Sequence, residues 1–121
     1  MARILIVEDN EAVRECYTEA VRIAGHEVAT EADLDGALRA LHACQFDAVV
    51  TDGEFPDGEA VSDQAGLSVA SECVARKIPV LLVTGRNWIF LEASYRGINA
   101  ILKPANLAEL TAWVTEQGVA A

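Results

Sequence analysis

Along this chain, short apolar runs alternate with stretches of helical period. Arg3 to Val7 is a near-continuous apolar run, as a strand buried on both faces requires. From Glu11 the period lengthens. Ala12, Val13, Cys16, Tyr17, Ala20, Val21 and Ala24 fall on one helical stripe, which Gly25 closes. His26 to Thr30 reads as a weaker, alternating strand. Asp33 is placed to cap a helix with Leu34, Ala37, Leu38 and Leu41 on its stripe. Phe46 to Thr51 predicts a third strand, and Ile78 to Thr84, opened by Pro79, a fourth. Between them Leu67, Ala70, Cys73 and Val74 mark a helix. Trp88 to Tyr95 is apolar and aromatic without a clear helical period. Ile98 to Leu102 predicts the last strand. Pro104 follows it, and Asn106 is placed to cap a final helix through Leu107, Leu110, Trp113 and Val114.

Repeated β-then-α units imply one parallel sheet with helices on both faces. The expectation is a single domain over residues 1–121. Its predicted architecture is a doubly wound, five-stranded, flavodoxin-like sheet in the order 2-1-3-4-5. Gly53 to Ala65 fits no period. With Asp57, Gly58, Glu59 and Asp63, it reads as an acidic loop. An apolar share of 52% excludes global disorder. The chain carries 19 acidic against 9 basic residues, a net charge of −10. That argues against holding nucleic acid or anionic lipid by bulk charge and favours cations or basic surfaces. Cys16, Cys44 and Cys73 form no CxxC pair and read as small core residues in a reducing compartment. No run is long enough for a membrane span or a signal peptide, so a cytoplasmic domain is expected.

In open parallel sheets, ligands bind beyond the carboxyl ends of the strands. The first strand exits into Glu8-Asp9, the third into Asp52, the fourth into Thr84 and the fifth into Lys103-Pro104. The predicted strand order sets these exits side by side. Three carboxylates at one point repel unless a cation neutralises them, and Mg2+ is a hard cation that suits oxygen ligands. A lysine and a hydroxyl facing the cluster would cradle an anion. An aspartate that takes a phosphoryl group satisfies both halves of the site.

Val7-Glu8-Asp9-Asn10, Asp52 with Pro56 four residues on, Thr84-Gly85 and Lys103-Pro104 together resemble the receiver domain of bacterial response regulators. The resemblance covers essentially the whole chain, in order and spacing. It implies that Asp52 is the phosphoacceptor, with Thr84 and Lys103 contacting the phosphoryl oxygens. Glu8, Asp9, Asp52 and the backbone carbonyl of Glu54 would hold Mg2+, Glu8 mainly through a water. A cis bond before Pro104 is also implied. The implied donor is a sensor histidine kinase or a histidine phosphotransfer protein. Output would pass to a downstream protein by contact, with no direct nucleic acid binding, from a monomer or weak homodimer. The chain ends at Gly118-Val119-Ala120-Ala121, which reads as a single-domain regulator or phosphate sink. Self-modification, rather than turnover of a substrate, is the expected chemistry.

Three departures from the family pattern stand out. Ala100 occupies the position, three before the lysine, where the family usually has an aromatic residue. Trp88, Phe90 and Tyr95 are possible substitutes, but each is expected first to cover the sheet. The stretch after Pro56 is about six residues longer than usual, since the comparable glycine is Gly66. Arg86 stands opposite Glu54, a pair that would tune phosphoryl hydrolysis. His26 and His42 show no ligand-like grouping. His26 reads as a helix–strand junction and His42 as a helix surface. Two other functions compete. One is an interaction module that keeps the fold without phosphorylation. The other is a phosphatase of the haloacid dehalogenase type, which needs a second aspartate where this chain has Glu54.

Overall fold

A computed structural model describes residues 1–120. Strand β1 (Arg3–Val7) is buried from Ile4 onward and splits its side chains between two cores. Leu5 and Val7 point to one face of the sheet, Ile4 and Ile6 to the other. That alternation buries an unbroken apolar run on both sides. Helix α1 (Glu11–Ile23), strand β2 (Glu27–Glu31), helix α2 (Leu34–Ala43) and strand β3 (Ala48–Asp52) follow. A hairpin of β4 (Phe55–Asp57) and β5 (Ala60–Ser62) precedes helix α3 (Ala65–Ala75). The chain closes with β6 (Val80–Thr84), α4 (Asn87–Tyr95), β7 (Asn99–Leu102) and α5 (Leu107–Ala120). The main sheet is parallel throughout, in the order β2-β1-β3-β6-β7. This is the predicted doubly wound order, with the hairpin added.

Helices α2, α3 and α4 cover the Leu5 face through residues such as Leu41, Leu67 and Ile89. Helices α1 and α5 cover the Ile4 face through Tyr17, Val21, Leu110 and Val114. The two anticipated caps are present: Asp33 Oδ1 accepts the Gly36 N–H at 2.7 Å, and Asn106 Oδ1 that of Glu109 at 3.2 Å. Asn10 caps α1 in the same way, its Oδ1 accepting the Val13 N–H at 3.0 Å.

Several sequence expectations are corrected. The later strands start after the apolar residues predicted to open them. The Ile78 and Ile98 N–H groups, for example, bond to the Cys73 and Ala93 carbonyls, each at 2.8 Å, and so finish the preceding helices. The acidic stretch after Pro56 is not a loop but the β4–β5 hairpin. Phe55 anchors it with no exposed surface, worth roughly 1.5–3 kcal/mol of burial. Gly58, at φ +70°, sits at the first turn position, where a II′ hairpin favours glycine. Cys73 is buried, but Cys44 is half-buried and Cys16 exposed. Cys16 lies at the rim of the α1 stripe, where side chains meet solvent. Trp88 to Tyr95 is helical, and only Ile89 and Ala93 are buried in it. Trp88 and Tyr95 stay 41% and 89% exposed, so neither covers the sheet.

Candidate functional site

The carboxyl ends of β1, β3, β6 and β7 meet at one rim of the sheet. Glu8 and Asp9 follow β1, and Asp52 ends β3. Their carboxylates each bring an oxygen within 4.8 Å of the other two. Lys103, just after β7, reaches across with its Nζ 3.2 Å from Asp52 Oδ1 and 3.3 Å from Glu8 Oε1. The bond that follows it, Lys103–Pro104, is cis. The Gly53 N–H donates to Asp52 Oδ1 at 2.7 Å and fixes that carboxylate's orientation. Thr84 ends β6, is 1% exposed, and its Oγ1 accepts the Arg86 N–H at 3.1 Å.

Glu8 is 1% exposed, whereas Asp9 faces solvent. Burial is the main force that pushes the Glu8 carboxyl up to about 7. The hydrogen bond and charge of Asp52 add to it, Lys103 pulls back, and Asp9 adds a further hydrogen bond. Burial works against the Lys103 ammonium, but the charges of Asp52 and Glu8 outweigh it and hold its pKa above the usual lysine value. One lysine thus faces three carboxylates, and negative charge is left over. Only oxygen donors line the cluster, and they are close enough to share one ion, so the residues fit a hard divalent cation such as Mg2+.

Two residues support this rim: Arg14, which nothing in the sequence singles out, and Gly66, which the family pattern marks. Arg14, on the first turns of α1, donates from Nη1 to the Glu8 carbonyl at 2.9 Å and the Asp9 carbonyl at 3.5 Å, pinning the turn that carries both acids. Gly66 lies directly against the end of β3. Its N–H donates to the Gly53 carbonyl at 3.1 Å, and a Cβ there would stand 2.2 Å from the Asp52 carbonyl oxygen. Gly53 is pressed in turn against Thr84, whose Oγ1 would lie 2.8 Å from an added Cβ. The three residues stack without room for another side chain.

The model of the response regulator receiver domain matches residues 4–115. This chain belongs to that family. The receiver domain is 31% identical over 117 residues to the transcriptional regulatory protein PrrA of Mycobacterium tuberculosis and to that of Mycobacterium bovis. Those matches cover 93% of this chain and 48% of each relative, so the chain spans about half the length of the curated relatives it matches. Among solved structures, the response regulator TrrA of Thermotoga maritima, in complex with Mg2+-BeF, is 28% identical. It superposes with a TM-score of 0.80, over 97% of this chain and 99% of that one. A CheY-like receiver domain from Methanospirillum hungatei, 23% identical, shares the fold with a TM-score of 0.80 over 100% and 99% of the two chains.

The receiver domain's own departures are now located. Arg86 Nε donates to Glu54 Oε1 at 2.6 Å, and Nη2 to Oε2 at 3.4 Å, joining the exits of β3 and β6. Glu54 is the main cause that raises the Arg86 pKa, and the charge of Asp63 adds to it, which sets the foot of the hairpin near this pair. Ala100 is half-buried and opens on a recess of about 320 Å3 walled by Leu81, Ile101 and Trp113. None of Trp88, Phe90 and Tyr95 lines it. His26 bridges the start of β1 to α5. His42 lies on the surface of α2, where Arg76 Nη2 reaches its Nδ1 at 2.8 Å. Among the described residues, no helix is long and apolar enough to cross a membrane.

Proposed function

We propose that this receiver domain is a phosphorylation-controlled switch with Asp52 as its acceptor. A carboxylate oxygen of Asp52 attacks the phosphorus of a phosphohistidine on a sensor histidine kinase or histidine phosphotransfer protein. The P–N bond breaks, the P–O bond forms, and the imidazole leaves with the electron pair. Glu8, Asp9, Asp52 and the Glu54 backbone carbonyl would hold Mg2+. When bound, it supplies charge neutralisation for the transferring group. Lys103 stands 3.2 Å from Asp52 Oδ1 and is placed to take the phosphoryl charge. The Thr84 hydroxyl is on the neighbouring strand exit and serves the same oxygens. The observation that carries this reading is the convergence of three carboxylates and one ammonium at a single rim. The 28% identical TrrA, solved in complex with Mg2+-BeF, supports Mg2+ as the ion.

Phosphorylation shifts the domain toward an output conformation, which a downstream protein reads by contact. The setting is the cytoplasm. Repeated turnover of a substrate is not expected. Glu54, where a haloacid-dehalogenase phosphatase needs its general acid, is tied up by Arg86. The deciding test is intact-protein mass after incubation with phosphoramidate, with and without Mg2+, beside Asp52→Asn. A single Mg2+-dependent phosphoryl adduct, absent in the variant, is expected. An unmodified wild-type chain that still binds partners would instead make this a docking module.

A further inference from the structure

The β4–β5 hairpin contributes no residue to the phosphorylation site. Its register pairs Phe55 with Ser62, Pro56 with Val61 and Asp57 with Ala60. Pro56 has no N–H to give, so the ladder bonds fall to the outer two pairs, and Val61 turns its N–H and C=O away from β4. Alternation sends Phe55 into the core and leaves Val61 on the opposite face, 61% exposed.

The two edges of the hairpin differ. β4 packs against α2 and α3, and its outward residue is a proline, which blunts an edge. β5 pairs with β4 alone. Its residues, Ala60-Val61-Ser62, include no proline and no charge. Asp57, Glu59 and Asp63 surround this edge, all exposed. Among the described residues none of them has an ion-pair partner.

We propose that the open edge of β5 docks an extended, basic segment of a partner protein as a third strand. The Val61 N–H and C=O hold the segment's backbone, and an apolar side chain of the segment lies beside Val61. The carboxylates of Glu59 and Asp63 flank the strand and select lysine or arginine on either side. A second copy of this chain is the poorer occupant. Pairing β5 with itself would set like acidic flanks together on chains of net charge −10. Three residues of strand also fall far short of the roughly 1,000 Å2 a stable interface buries. The contact is therefore transient and steered by charge. It sits beside the acceptor, since Glu54 links Asp52 to the hairpin.

The test uses the whole chain, unphosphorylated and without Mg2+, so its outcome is independent of the phosphoryl chemistry. The probe is a nine-residue peptide of alternating lysine and valine, followed by amide NMR. The largest shifts and slowed exchange are expected at residues 60–62. N-methylating the probe's central valine, which removes the N–H offered to the Val61 carbonyl, should weaken binding at least about tenfold. V61P should do the same, because it deletes an outward N–H that gives β4 nothing. If V61P unfolds the hairpin, the N-methylated probe on the wild-type chain carries the test. The proposal falls if the N-methylated probe binds equally well or if the largest shifts lie outside residues 60–62. It falls too if millimolar probe moves nothing, or if residues 60–62 shift with protein concentration alone, the mark of a second copy.

Discussion

The two ends of the parallel sheet are built from the same strands and behave oppositely. At the amino end, polar groups cancel in pairs. The Ala2 N–H donates to His26 Nδ1 at 3.1 Å, which leaves the imidazole proton on Nε2, 3.2 Å from Thr115 Oγ1. The Arg3 N–H donates to Asp47 Oδ2 at 2.8 Å. At the carboxyl end, Glu8, Asp9 and Asp52 share one lysine; Arg14 is engaged by the Glu8 and Asp9 carbonyls, and among the described residues no other cation pairs with the three carboxylates. One end is completed by its own atoms. The other is left with a surplus of negative charge that an external cation must complete.

That contrast is most severely tested by filling the tightest contact at the carboxyl end. Gly66→Ala drives a methyl group into the backbone of Asp52 and Gly53 and should cost roughly 3 kcal/mol or more, read from urea unfolding. A wild-type midpoint would show that this end has slack. The next effect is electrostatic. Between the ordinary 4.5 of a glutamate and about 7, the folded, metal-free chain holds a proton on Glu8 that the unfolded chain has released. This contribution is whole below pH 4.5 and is lost as pH rises through about 7, by a few kcal/mol. Glu8→Gln should flatten the slope in urea titrations at successive pH values. Mg2+ affinity should rise across the same interval, because the ion competes with that proton.

A smaller effect belongs to the amino end. His26→Ala strands the Ala2 N–H and should cost about 1–2 kcal/mol while leaving Mg2+ affinity unchanged by calorimetry. If metal binding weakens as well, the two ends are coupled and the contrast fails. The smallest stability effect is at Glu54 and Arg86. Arg86 is 61% exposed, so Arg86→Ala should leave the urea midpoint unmoved. The lifetime of the phosphorylated state should change all the same, and an unchanged rate after exchanging both residues would remove the pair from the kinetics.

The carboxyl-end chemistry was readable because buried strands announce themselves. Ile4 to Val7 and Val80 to Val83 are apolar without interruption, so the residues that follow them are fixed in place at the sheet's rim. The hairpin was not readable. Its strands have three residues each, too few for a period to show, and proline, glycine and acids there look like a loop. Helix α4 was ambiguous for another reason. Trp88, Leu91 and Tyr95 are apolar on its exposed side, so no polar face betrays its orientation. The bonds from Arg14 to the Glu8 and Asp9 carbonyls join a side chain to the main chain, and residue types alone do not encode such a pairing.

The recess beside Ala100 has a spectroscopic consequence. Trp113 forms part of its wall and is half-buried, while Trp88 stands exposed on α4, and these are the chain's two indoles. The emission of Trp113 therefore follows the wetness of the α5–β7 flank, against a solvent-facing reference on α4. The protein carries its own optical gauge of how that flank packs, with no dye attached.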